Sequence, residues 1–231
     1  MVETIPLRID IVSDVVCPWC IIGYKQVEKA LTMLDQPVEA SIWWHPFELN
    51  PGMSSEGQDV TEHLAQKYGA TPEQSKANRQ RIGELGAGLG FEFGRHDNRR
   101  IYNTFKAHKM LRRVAEEKGW REQTALKLAL FAAYFQNNRD VSNDEVLLDV
   151  AESTGLEQEA VVGWLADETL SEEVRSELAH WRENNITGVP AIIIDQRFMI
   201  PGAQDAQTFA DWIGKILVKR AEAVAEAHAA T

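Results

Sequence analysis

The stretch "SDVVCPWCIIGYKQVEKAL", residues 13–31, holds both cysteines of the 231-residue chain, at positions 17 and 20. Four explanations compete for so close a pair: a structural disulfide, half of a metal site, a coincidence, or a redox couple. Cys20, Tyr24, Val27, Leu31 and Leu34 recur at intervals of three and four, the stripe of an amphipathic helix that opens at the cysteines. Pro18 suits the first turn of that helix, where its missing N–H leaves no bond unmade. Upstream, "LRIDIV" (Leu7–Val12) is short, rich in Ile and Val, and reads as a buried strand. Downstream, "VEASIWW" (Val38–Trp44) alternates toward a second strand. Strand, helix and strand in succession make a parallel βαβ unit, with the cysteines at its first junction.

From about Val60 to Asn184 the apolar spacing is helical almost throughout. Ile101, Phe105, Leu111 and Val114 mark one helix, and Trp120–Phe135 another. Val146–Val150, Val161–Leu165 and Val174–Trp181 mark three more. Pro72 in "TPEQ", and the segments "SNDEVL" and "STGLEQEAV", have the residues of helix N-termini. Strand character returns in "AIIIDQRFMIPGAQ". Ala191–Ile194 reads as a buried strand, Asp195–Gln196 as a tight turn and Arg197–Ile200 as the returning strand. A last helix follows, with Phe209, Trp212, Ile213, Ile216 and Leu217 on its apolar side. The order βαβ, helices, ββα predicts one discontinuous α/β domain, residues 1–55 and 185–231, interrupted by an inserted all-helical domain, residues 56–184.

The hydrophobic share of 44% and charged share of 26% belong to a globular chain rather than a disordered one. A net charge of −11 without a long basic run argues against nucleic acid and anionic membrane as partners. The N-terminus lacks the pattern of a secretory signal, and no run of about eighteen apolar residues would span a membrane. The expected compartment is therefore a reducing cytoplasm, where a static stabilising disulfide is unusual.

A bridge between Cys17 and Cys20 would close a tiny loop and stabilise the fold little. Structural zinc wants four donors, yet no second cysteine pair exists and the six histidines are dispersed. No metal and no bound organic cofactor is expected. The redox reading has positive support. A cysteine just before a helix meets unpaired N–H groups and the positive end of the dipole, which favour thiolate and make Cys17 the attacking sulfur. Cys20, on the apolar stripe, is expected to be more buried, leaving Cys17 the exposed thiol. Disulfide exchange needs such unequal partners, one to attack and one to resolve. Pro190 in "TGVPAIII" stands immediately before a strand, and a cis Val189–Pro190 bond would account for it.

The segments "SDVVCPWCIIG", "PFELNP", "YNTFKAHKMLRRVA", "TGVPAIIID" and "PGAQ" together resemble DsbA-like members of the thioredoxin superfamily, in the FrnE-like branch. The resemblance runs from about Leu7 to Trp212. It implies a thioredoxin-like fold (βαβ…ββα) with a large helical insertion, and thiol–disulfide oxidoreductase chemistry on thiol- or disulfide-containing proteins or peptides. Cys17 would be the nucleophile, Cys20 the resolving thiol and Pro190 the cis-proline facing them. The backbone of Val189 would pair with the substrate, beside Pro18 and Trp19. A related branch comprises glutathione-dependent isomerases of 2-hydroxychromene-2-carboxylate and kappa-class glutathione transferases, in which a serine stands where Cys17 does. Glutathione is therefore a possible co-substrate. Retention of both cysteines favours exchange, with a glutathione-dependent isomerase or transferase and a non-catalytic binding module as the alternatives. Pro201 departs from the small polar residue that similar sequences have before G-A-Q.

Three polar residues remain as weaker candidates. Asn103 falls at helical spacing with Ala107, Met110 and Val114, so it is either a site residue or a satisfied structural amide. His108, near Phe105 and Leu111, reads as a core or rim histidine rather than a catalytic base. His45 follows the second strand, where loops beyond parallel strands line clefts. "GELGAGLG" follows a helical segment and lacks a Lys-Ser/Thr ending, so it reads as a helix terminus rather than a phosphate loop. Trp19 is expected at the surface between the thiols, and Trp43 and Trp44 in the core.

Overall fold

The computed structural model describes residues 4–229, so the extreme ends of the discontinuous domain, 1–3 and 230–231, lie outside the described residues. Strand β1 (Ile5–Ser13) runs parallel to β2 (Val38–Pro46), in register from Ile5 opposite Val38 to Ser13 opposite Pro46. Helix α1 (Pro18–Leu31) is the crossover between them. On its other side β1 pairs antiparallel with β5 (Ala191–Ile194), and β5 pairs with β6 (Phe198–Pro201) to give the sheet order β2-β1-β5-β6. Asp195 and Gln196 both have positive φ, 51° and 55°, as a tight hairpin turn with the twist of its strands requires. Helix α9 (Ala206–Ala229) packs on α1.

The segment between β2 and β5 supplies α2 (Val60–Tyr68), α3 (Pro72–Gly88), α4 (Phe105–Lys118), α5 (Trp120–Phe131), α6 (Asp144–Ser153), α7 (Gln158–Ala166) and α8 (Glu168–Glu183). Two short strands, β3 (Gln58–Asp59) and β4 (Arg100–Ile101), pair antiparallel beside them. Ile101 thus belongs to β4, and α4 begins only at Phe105, because Asn103 and Thr104 break the chain direction between them. The Trp120–Phe135 helix is α5 followed by a π-helical turn, Ala132–Gln136. Thr71 caps α3 reciprocally with Gln74, and Asn143 caps α6. Ser153 and Thr154, expected at a helix start, close α6 instead: each hydroxyl donates back to a carbonyl, Ser153 to Val150 and Thr154 to Ala151. "GELGAGLG" forms the end of α3 and the turn after it. Trp212, placed on the apolar side of α9, is 48% exposed. It sits on the helix flank while Phe209, Ile213 and Ile216 face inward.

What docks the helices to the sheet is a polar clamp. The backbone N–H of Trp44 donates to Gln123 Oε1 (2.9 Å), and Gln123 Nε2 donates back to the Trp44 carbonyl (2.7 Å). One glutamine on α5 therefore does for the edge of β2 what a neighbouring strand would do. Thr124 adds a contact from the Trp44 indole N–H (3.0 Å). Around this clamp a continuous apolar core runs from β1 and α1 through Trp44 and Phe131 to α8, and on to α9.

Candidate active site

The chain leaves β1 through a tight turn, in which the Cys17 N–H donates to the Asp14 carbonyl (3.2 Å). Cys17 is the N-cap residue of α1, with Pro18 in the first turn as the sequence predicts. Both thiols are free and both are buried, Cys17 4% and Cys20 0% exposed. The exposed Cys17 expected from sequence is corrected here, because the chain around Pro190 folds over it. The Val189–Pro190 bond is cis, and the Cys17 thiol lies 3.6 Å from the Val189 carbonyl oxygen. Two glycines hold that segment. The Gly202 N–H, from "PGAQ", donates to the Pro190 carbonyl (2.8 Å). At Gly23 an added Cβ would meet Pro190 Cγ at 3.0 Å, so the absence of a side chain there lets Pro190 rest on α1. Burial raises the pKa of the Cys20 thiol well above its ordinary value, and the neighbouring Cys17 sulfur adds to the effect.

Beneath the sulfurs lies a set of buried ionisable groups. Asp14 is 0% exposed and its carboxylate accepts from the Leu49 N–H (2.8 Å) and the Val16 N–H (3.5 Å). His108 Nε2 stands 3.7 Å from Asp14 Oδ1 and 3.1 Å from the Phe47 carbonyl. A carbonyl can only accept, so this nitrogen carries a proton. Burial would raise the Asp14 pKa, but His108 and the Leu49 N–H outweigh it and hold the carboxyl below the usual range. Lys127 of α5 is also 0% exposed. Burial pulls its ammonium pKa down to about 8, against the attraction of Cys20, Asp14 and Cys17. Glu48 is buried nearby, and burial pushes its carboxyl up.

Of the residues singled out in the sequence, Cys17, Cys20, Val189 and Pro190 come together. Pro18 and Trp19 are half-buried at the rim, with the Arg81 guanidinium 5.7 Å from the Trp19 ring centroid. Asn103 lies ahead of α4 rather than on its face. Its Oδ1 accepts from the Phe105 N–H (2.9 Å), while its amide is 3.5 Å from Glu48, which borders Asp14 and His108. His45 is held elsewhere, between Asp10 (2.8 Å) and Glu177 (2.6 Å), on a cavity of about 250 Å³. Sequence reasoning missed Asp14 and Lys127. Asp14 adjoins the motif, and Lys127 is the lone cation within "TALKLALF", an interruption of an apolar helix that signals burial with a purpose.

The DSBA-like thioredoxin domain family matches residues 8–214, and the chain belongs to it. It superposes with a TM-score of 0.82 on the crystal structure of probable DsbA oxidoreductase SCO1869 from Streptomyces coelicolor, at 32% identity over 90% of this chain and 89% of that one. It is 29% identical to the uncharacterised protein YwbO of Bacillus subtilis (strain 168), covering 88% of this chain and 94% of the relative. The fold is shared with the cytosolic disulfide reductase DsbM from Pseudomonas aeruginosa, solved with GSH, at a TM-score of 0.61, 16% identity and coverage of 91% and 98%.

Proposed function

We propose that a discontinuous thioredoxin-like unit (residues 1–55 and 185–231), carrying a helical insertion (56–184), catalyses thiol–disulfide exchange through Cys17 and Cys20. The observation that carries this reading is the pair of free, unequal thiols at the start of α1, with Cys17 under the Val189 carbonyl. Cys17 thiolate attacks one sulfur of a substrate disulfide and expels the other as thiolate, leaving a mixed disulfide. Cys20 then attacks Cys17, closing the Cys17–Cys20 bond and releasing the second substrate thiol. The substrate disulfide gains two electrons and the dithiol loses two; run backwards, the same steps oxidise a substrate dithiol. Val189, Pro18 and Trp19 border the substrate chain, and Pro190 faces the sulfurs.

Substrates are thiol- or disulfide-containing proteins, peptides or small thiols, and no bound organic cofactor is involved. Glutathione is a candidate co-substrate, supported by its presence with the Pseudomonas aeruginosa reductase of the same fold. Action in the cytoplasm agrees with a neighbour that is cytosolic. Cys17→Ser should abolish insulin reduction, whereas Cys20→Ser should accumulate mixed disulfides through Cys17, visible as mass additions. Undiminished turnover by Cys17→Ser would refute the reading.

A further inference from the structure

Trp19, which stands between the two cysteines in the chain, is met from outside α1. Helix α3 packs on α1, and the Arg81 guanidinium lies 5.7 Å from the centroid of the Trp19 ring. A cation over an aromatic face is held by the ring's quadrupole, and that contact leaves the N–H groups of a guanidinium able to donate. Arg81 is exposed. Among the described residues its side chain donates no hydrogen bond and has no carboxylate within 4.0 Å. Glu84, three residues along the same helix, accepts from Gln80 instead (2.8 Å). Other arginines between β2 and β5 are neutralised: Arg112, Arg113 and Arg139 each hold a carboxylate within 3.0 Å.

The chain around Arg81 carries the same sign. From Lys76 to Arg100 there are six basic residues and three acidic ones, in a protein whose net charge is −11. Arg99 has a buried Nε without a hydrogen-bond partner. Arg100 donates to the backbone carbonyls of Glu56 (2.8 Å) and Gly57 (2.9 Å), not to a carboxylate. A molecule of net negative charge repels acidic ligands at long range, so a local cation at the rim of the site decides which of them can approach the thiol. A guanidinium with free N–H groups is matched to a carboxylate, whose two oxygens it can engage at once.

We propose that Arg81 is a specificity-determining residue, which favours disulfides that carry a carboxylate close to the sulfur, as an acidic peptide does. The inference rests on the exchange reading above and names the substrate class for it. Arg81 makes and breaks no bond. Cys17 thiolate attacks the near sulfur of the substrate, the new S–S bond forms as the old one breaks, and the electron pair leaves on the far thiolate. Arg81 holds the carboxylate over Trp19 while this happens.

The test reacts reduced full-length protein with two small disulfides and reads the rate of the first thiol released. Dithiobis(nitrobenzoate) carries a carboxylate on each half, and dithiodipyridine carries none. In Arg81→Gln the ratio of the first rate to the second should fall by about threefold to tenfold, the effect of one charge at a partly solvated rim. Arg81→Lys keeps the charge and should hold the wild-type ratio to within about twofold. In about 1 M salt, where screening reaches about 3 Å, the ratios of Arg81→Gln and the wild type should converge. An unchanged ratio in Arg81→Gln would overturn the proposal, whether both rates fall together or neither falls, because support of Trp19 alone would slow both disulfides alike. An equal loss in Arg81→Lys would overturn it too. A wild type that reacts with neither disulfide would instead count against disulfide exchange itself.

Discussion

His45 holds two carboxylates at once: its Nδ1 is 2.6 Å from Glu177 and its Nε2 2.8 Å from Asp10. Carboxylates accept, so both ring nitrogens donate and the ring is an imidazolium. Arg8 braces Asp10 and Arg112 braces Glu177, so the network ties β1 and β2 to α4 and α8. Burial would lower the pKa of His45, but the bonds to Asp10 and Glu177 win and raise it above 6.5. The stabilisation is therefore fully present below about pH 6.5, the unfolded value, and is lost as pH climbs through the raised folded value. Asp10 and Glu177 are both lowered, so their share is lost only as pH falls below their unfolded values of 3.8 and 4.5. Resistance of the wild type to urea should fall as pH climbs above about 6.5. His45→Gln should be less stable at pH 6 by about 3 kcal/mol, the cost of breaking a buried pair, and flat over that range. An equally steep pH dependence in the variant would contradict the account. Sequence spacing alone singles out Cys17 and Cys20, since the two thiols sit three residues apart. The partners of His45 are 35 and 132 residues away, which no local pattern encodes.

At the level of elements, the Gln123 clamp and the Gly23 contact carry separate predictions. Gln123→Leu would strand a buried N–H and a buried carbonyl of Trp44, at about 1–3 kcal/mol for each group left unpaired. The denaturation midpoint should fall accordingly; a loss below the effect of an exposed glutamine such as Gln207 would show that the clamp contributes little. Gly23→Ala sets two effects against each other. Helix propensity favours alanine by about 1 kcal/mol, whereas the new Cβ presses on Pro190 Cγ at 3.0 Å. Gly23→Val loses the propensity gain and adds overpacking of about 1–3 kcal/mol, so exchange should slow more than for alanine. Equal rates for the two variants would mean that the Pro190 segment yields freely. Most elements are legible because periodicity is local: Ala191–Ile194 matches residue for residue, whereas the turn also takes in Arg197 and the returning strand is Phe198–Pro201 rather than Arg197–Ile200. The misplacements fall where side chains serve termini in either direction, as at Ser153 and Thr154, or where a two-residue strand such as β4 is too short to show a period.

For the whole molecule, helices α4 to α8 are part of the same core as the sheet. Trp44 packs edge-on against Phe131 at 6.0 Å between ring centroids, and α5 carries Gln123 to the Trp44 backbone and Lys127 Nζ to both rings. Replacing residues 56–184 by a short linker should therefore unfold the remainder rather than release a smaller folded domain. Circular dichroism and tryptophan fluorescence would report it; a cooperative melt of the shortened chain would show the two parts to be independent. The βαβ–helices–ββα order was readable because each block keeps one period over many residues. The shared core was not, since it depends on which face of α5 meets which strand.

The edge clamp has a further meaning for life at high concentration. An open strand edge is a template for other chains, and runs such as Val38–Trp44 have the composition of a fibril-forming segment. Gln123 occupies the backbone of β2 at Trp44, where another molecule's strand would otherwise add. At the opposite edge β6 is only four residues long and ends in Pro201, which has no N–H to offer. Neither margin of the sheet presents an uninterrupted ladder to a second chain.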